Sequence, residues 1–197
     1  MSRPVFFAGL GLVLAVALAV RLPLLHWASD SYRLTEALSI EEVENVRIST
    51  GMLHEGSANP HAFEYPSLFY YLSTVVEAPV RARSGPDWTG YLVAVRTLSL
   101  VFGLATIALA ALLARRLGGD LAGLFAASVL AADRTMIGIS TLAKPNAAQV
   151  AFVLAGFMAL VALASALRLR HAVTAAALFG LAAASKWLGA LGLAGLA

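Results

Sequence analysis

The sequence predicts an all-α protein: a polytopic transmembrane helical bundle with one large loop that carries short helices lying in the membrane interface. Three observations lead there. Apolar residues make up 60% of the chain and charged residues only 13%, against about 25% charged in a soluble domain. The apolar residues also fall into long blocks, and a span needs about 20 of them in a row to cross the hydrocarbon core. Charge is segregated as well: residues 26–90 hold nine acids and four arginines, a net of −5, while the rest of the chain sums to +8. Basic residues gathered at span ends orient a membrane chain. They are not a nucleic-acid footprint, so the expected partner is the lipid bilayer and no nucleic acid.

Residues 4–20 form the first apolar block. The core of a signal peptide usually runs about 7–15 residues and ends in a small-x-small site. This block is longer and runs into Arg21, Pro23 and His26 without such a site, so it reads as a retained span. The large loop, 26–90, follows. Within it, Ile40, Val43, Val46, Ile48 and Leu53 recur at roughly a helical period. Ser39 is the N-cap candidate, with Glu42 three residues on at capping-box spacing. Gly56 to Pro60 is a turn cluster. Pro66 opens Ser67-Leu68-Phe69-Tyr70-Tyr71-Leu72, whose aromatics suit an interfacial helix, and Ser84-Gly85-Pro86 closes the loop.

The second long block is 91–114, with Arg96 near its start as its only charge. A shorter block, 121–132, ends at Asp133-Arg134, read as a local pair. The third long block is 146–167. Residues 172–197 are interrupted by Lys186, and a lysine at mid-bilayer costs about 2.5–3.5 kcal/mol on insertion scales. Two short helices meeting near Lys186 are therefore preferred to one long helix burying it. About five to six transmembrane helices result, in one membrane domain over 1–197. The chain stops at Ala197 inside an apolar run, as expected of the N-terminal part of a longer protein. Arg3, Arg115-Arg116, and Arg168 with Arg170 and His171 lie at alternate ends of successive blocks. The positive-inside rule assigns all of them to the cytoplasmic side, which puts 26–90 and 133–145 outside. A multi-pass protein of the cell membrane is expected. The absence of cysteine excludes disulfides and thiolate-held metals.

Glu41-Glu42 is the first candidate for chemistry. Adjacent carboxylates shortly after the first span place negative charge at the water–lipid boundary. By spacing alone they also fit a solvated helix face with a capping role for Glu42.

The stretch 39–47, then Gly51-Met52-Leu53, then Asn59-Pro60-His61-Ala62-Phe63-Glu64-Tyr65-Pro66-Ser67-Leu68-Phe69-Tyr70-Tyr71-Leu72, resembles the first outer loop of GT-C-type glycosyltransferases. It is similar to the family 39 group, which includes protein O-mannosyltransferases and aminoarabinose or polyprenyl-phosphate-sugar transferases. Those loops carry an Asp-Glu pair after the first helix and a Tyr/His-Pro-Pro/Ser-Leu segment after a turn. Arg21, Arg96, Ala114-Arg115-Arg116-Leu117, and Gly180-Leu181-Ala182 leading to Ser185-Lys186-Trp187 extend the resemblance over nearly the whole chain. Two departures stand out. The Asp-Glu pair is Glu41-Glu42 here, and the Arg-Pro-Asp-like setting of the second outer loop reads Lys144-Pro145-Asn146. Asn146 can hydrogen-bond but cannot act as a base or bind a metal as an anion. Either the first loop suffices or activity is weakened.

The resemblance implies transfer of a sugar from a polyprenyl-phosphate donor to a hydroxyl of a glycan, lipid or protein acceptor on the outer face. Glu41 would be the general base, and Glu42 would position acceptor or metal. Lys186 and Arg96 would meet phosphate, and Tyr65, His61 and Asn146 would line the substrate site. The resemblance fixes no cofactor, although a divalent cation has a possible place beside the acids. The plainer readings are that Arg96 snorkels to the interface and Lys186 caps a helix pair. His54 and His61 lack the tight spacing of metal ligands, and Tyr65, Phe69, Tyr70 and Tyr71 suit either sugar stacking or interfacial anchoring. Two other classes remain in play, a transporter component and an inert membrane scaffold subunit. Against the first, the spans are almost charge-free and polar residues gather in the loop.

Overall fold

The computed structural model describes residues 3–187, and every regular element among them is helical. Helix α1 (Arg3–Arg21) runs into a 3-10 turn, Leu22–His26. Helix α2 (Tyr32–Leu38) starts at Ser31, whose hydroxyl accepts from the Leu34 amide at 3.3 Å. Then come α3 (Ile40–Glu55), α4 (Leu68–Ser84), α5 (Trp88–Ala132), α6 (Arg134–Thr141), α7 (Asn146–Ala166) and α8 (Leu169–Ser185). Three stretches, Arg3–His26, Trp88–Ala132 and Asn146–Ala166, are long and apolar enough to cross a membrane; α8 is a shorter apolar helix. Their outward faces carry large apolar side chains such as Leu12, Val101 and Phe125, each more than half exposed. An apolar outer surface is what lipid requires and water penalises.

Helix α5, at 45 residues, would be about twice the hydrocarbon thickness if straight, since each residue rises about 1.5 Å. It is not straight. Gly119 sits at φ 83°, ψ −176°, a conformation essentially reserved for glycine, and the chain doubles back. Ile107 and Ala111 of the first arm and Ala127 of the second pack with Phe6, Leu10 and Ala17 of α1 in one core. An Arg115–Asp120 ion pair at 2.6 Å braces the hairpin, with the Arg115 guanidinium 4.2 Å from the centre of the Phe6 ring. The two blocks expected at 91–114 and 121–132 are thus these arms.

Helices α7 and α8 form a second hairpin through Leu167, at φ 45°. The Phe179 ring lies against Gly156, where a Cβ would collide with it. Arg21, fully buried, ties α1 to the far end of the α5 hairpin. Its Nε donates to the Ser140 hydroxyl at 2.9 Å, and its Nη1 to the carbonyls of Ala17 and Ala131, each at 3.1 Å. The Ala131 carbonyl, in the last turn of α5, is one that a helix end leaves without a partner.

The loop is more ordered than its sequence suggests, and several expectations need correction. Helix α4 runs on to Ser84, and two of its aromatics, Phe69 and Tyr70, are buried in cores rather than laid in an interface. Ser39 makes no side-chain cap, and the Glu42 carboxylate, the other half of the expected capping box, is bonded to Arg96 instead. Asp133 caps α6, accepting from the Met136 amide at 2.7 Å. Gly56, in the left-handed region at φ 63°, ends α3 at the expected turn. Of the two short helices expected around Lys186, α8 ends at Ser185 as the first; the second lies outside the described residues.

Candidate active site at the clustered helix ends

Glu41 and Glu42 share the first turn of α3. Neighbours on a helix point about 100° apart, so the pair divides. Glu42 turns inward and is fully buried. Its Oε1 accepts from Arg96 Nε and from the Ala143 amide, both at 2.7 Å, and its Oε2 from Arg96 Nη2 at 2.9 Å. Arg96, equally buried, spends Nη1 on the carbonyls of Leu25 and Trp27 at 2.9 and 2.6 Å. Neither residue has the role expected from the sequence. Both are fully buried, so neither presents its charge to a phosphate, an acceptor or a metal at the surface, and Arg96 bonds inward rather than snorkelling. A low-dielectric interior tolerates two such charges only as a well-bonded pair.

That pair positions a loop. The Ala143 amide is held by Glu42, and the Ala143 carbonyl accepts from Asn45 Nδ2 at 3.0 Å. The Lys144 carbonyl accepts from the Ser99 hydroxyl at 3.4 Å. With its backbone pinned from α3 and α5, Lys144 extends its ammonium to Glu41 Oε2 at 2.9 Å.

Glu41 turns the other way and is about one-third exposed. Its Oε1 accepts from the Tyr65 hydroxyl at 3.1 Å. Lys186, in extended backbone just past α8, donates to Asn146 Oδ1 at 3.2 Å and lies 5.4 Å from the centre of the Tyr65 ring. Partial burial pushes the Glu41 carboxyl up, but Lys144, Tyr65 and Lys186 outweigh that and hold it below the ordinary carboxylate value. Burial and the nearby Glu41 push the Tyr65 phenol up. A cavity of about 400 Å³ opens beside Glu41, lined also by Ile40, Glu44, Asn45, Glu64, Tyr65 and Tyr70.

Of the residues singled out from sequence, Glu41, Tyr65, Asn146 and Lys186 therefore meet in one place. His61 does not join them. It is exposed, lining a separate neighbouring cleft of about 480 Å³ with Glu55 and Phe63. Lys144 was missed as a site residue, although it stood in the departing Lys144-Pro145-Asn146 motif. A cation beside a proline at a helix start signals little until its partner across the fold is known. Among the described residues no three His, Asp or Glu side chains converge to hold a metal ion. Glu41 is bonded by an ammonium and Glu42 is consumed by Arg96, so this donor set does not fit a divalent cation.

The opposite ends of the helices are basic. Arg3, Arg115 and Arg116 surround one cleft there, and Arg116 shares a second with His171. Comparison with protein-family models, with curated proteins and with solved structures finds no match to this chain.

Proposed function

We propose that this chain forms the membrane-embedded catalytic part of a glycosyltransferase that takes a sugar from a polyprenyl-phosphate donor and delivers it to an acceptor hydroxyl. The observation that carries the reading is the convergence of Glu41, Lys144, Tyr65, Asn146 and Lys186, from four separate segments, at one end of long apolar helices, with Glu41 and Tyr65 also lining a cavity. A carboxylate flanked by ammonium groups at a lipid boundary suits this chemistry. Glu41 takes the acceptor hydroxyl's proton as the acceptor oxygen bonds to the sugar's anomeric carbon. The bond from that carbon to the phosphate oxygen breaks, and its electron pair leaves with the polyprenyl phosphate. Cations stabilise the charge that develops there, and Lys186 is placed for that task.

The resemblance to family 39 loops supports the same reading, with Glu41 in the place of the first acid of the pair. The basic residues at the far ends favour a cytoplasmic position for those ends, which puts the Glu41 end outside in a multi-pass arrangement. The test is release of polyprenyl phosphate by full-length protein supplied with polyprenyl-phosphate hexoses and pentoses. Acceptor-dependent release that fails in Glu41→Gln supports the reading. Absence of release from every donor rejects it in favour of a scaffold.

A further inference from the structure

The basic end of the molecule holds a cleft that sugar transfer does not use. Of the 11 acids in the chain, only Asp120 and Asp133 lie outside residues 26–90. Asp133 caps α6, at the opposite end of the second α5 arm. Among the described residues, Asp120 is therefore the one side-chain carboxylate set against Arg3, Arg115, Arg116, Arg168 and Arg170, and it is bonded to Arg115. Arg3 opens α1, and Arg115 and Arg116 lie just before the reversal at Gly119. Their guanidinium groups thus stand at the level where the apolar helices begin. They rim a cleft of about 400 Å³ whose remaining wall is apolar, formed by Phe7 of α1, Leu112 of α5 and Met158 of α7. Arg115 is held in place, its Nε on Asp120 at 2.6 Å and its guanidinium 4.2 and 5.3 Å from the centres of the Phe6 and Phe7 rings. Arg3 and Arg116 are exposed and form no ion pair among the described residues. The adjoining cleft, between Arg116 and His171, is poorer in donors, because its Ser165 hydroxyl is spent on the carbonyls of Val161 and Ala162.

We propose that this cleft seats one anionic phospholipid of the surrounding bilayer, with its phosphodiester between Arg3 and Arg116 and the first carbons of its acyl chains along Phe7, Leu112 and Met158. The planar fork of an arginine matches phosphate oxygens, and basic pockets between membrane helices hold anionic headgroups. Cations directly beside an apolar wall fit a molecule that carries both an anion and a hydrocarbon chain. A free phosphate leaves that wall uncovered, and an acidic peptide brings no chain to lay on it. A zwitterionic lipid brings its own ammonium group, which the guanidinium groups repel; a glycerol headgroup does not. Arg115, engaged by Asp120, adds field at the phosphate while Arg3 and Arg116 bond to it. Helices α1 and α7 each pack on α5, so a lipid lodged here bridges the two and braces the basic end. The site is independent of sugar transfer at the Glu41 end and of which leaflet the basic end faces.

Native mass spectrometry of the full-length protein in detergent, titrated with phosphatidylglycerol, phosphatidylcholine or glycerol 3-phosphate, tests the site without turnover. One phosphatidylglycerol should bind in preference to phosphatidylcholine, and glycerol 3-phosphate should compete only at far higher concentration. Arg3→Gln and Arg116→Gln should each weaken phosphatidylglycerol binding about fivefold, the change expected for one basic residue near an anionic headgroup. Arg116→Lys, which keeps the charge, should retain most of the affinity. Met158→Trp should weaken binding as well, because it fills the cleft without altering charge. The control is the double variant Arg168→Gln with Arg170→Gln, which removes two charges outside the cleft and should leave the affinity nearly unchanged. Melting curves of the lipid-free variants confirm that each is folded, and added phosphatidylglycerol should raise the melting temperature of the wild type more than that of Arg116→Gln. A loss in the double variant as large as in Arg116→Gln means diffuse attraction to the bilayer and overturns the site. Equal affinity for phosphatidylcholine overturns it too, and equal affinity for glycerol 3-phosphate overturns the lipid part.

Discussion

Glu41 and Glu42 show how little adjacency in sequence says about role. One methylene-for-methylene identical pair is split by helix geometry into a cavity-facing carboxylate and a buried counter-ion. Glu41→Gln keeps the Tyr65 bond but cannot accept a proton, so turnover of the full-length protein should fall about 10²–10⁴-fold, the range for a lost general base, with the melting temperature little changed. Steady-state kinetics beside a melting curve in detergent checks both halves. The Glu42–Arg96 pair predicts the opposite pattern. Removing either partner strands a buried charge, which costs about 3–5 kcal/mol, so Glu42→Ala and Arg96→Met should each unfold the protein early. The double variant should be more stable than the sum of the two losses implies. Additive losses in a double-mutant thermal cycle mean that the two charges are not coupled as their bidentate geometry requires.

At the scale of elements, two contacts govern how helices meet. Gly119 occupies a backbone region that side chains avoid at a cost of order 1–3 kcal/mol, so Gly119→Ala should destabilise the α5 hairpin by that amount, whereas Gly11→Ala in α1, with ordinary helical backbone and open space around it, should not. Thermal unfolding of the two variants in parallel gives the comparison. Between α3 and α4, Glu77 is fully buried, with Oε1 accepting from the Ser49 hydroxyl at 2.6 Å and Oε2 without a partner. Burial pushes its carboxyl up to about 7, against a smaller opposing effect of the Ser49 bond. The native state then binds the proton more tightly than the unfolded state does. Stability from this group is full below the ordinary carboxyl value near 4.5 and is lost as pH rises towards 7. Melting temperature should therefore fall between about pH 5 and pH 8, and Glu77→Gln should flatten that slope. A slope that survives the substitution places its origin in another group.

For the whole molecule, the separation of a basic end from the Glu41 end is the property that membrane insertion reads. With no cysteine in the chain, single-cysteine labelling reports sidedness directly. In intact cells Ala58→Cys, in the turn after α3, should react with an impermeant maleimide, and Leu117→Cys, beside the Gly119 break, only after permeabilisation. The reverse pattern inverts the proposed orientation and moves the sugar-transfer site to the cytoplasmic face.

Hydropathy and charge are local quantities, and what depends on them was legible in the sequence: the helical class, the three long apolar helices, and Glu41 and Lys186, through their charges, as residues of interest; Tyr65 and Asn146 were singled out by the resemblance alone. The short helix α2, the extension of α4 and the capping role of Asp133 were not legible, because tertiary packing overrode or completed weak local signals. The division of labour between Glu41 and Glu42 depends on Arg96, 54 residues away, and on the Ala143 amide, 101 residues away. Lys144 became a site residue only when that same buried pair fixed its loop beside α3. No periodicity or motif encodes such a pairing, since a buried charge finds its partner through the packed interior and not along the chain.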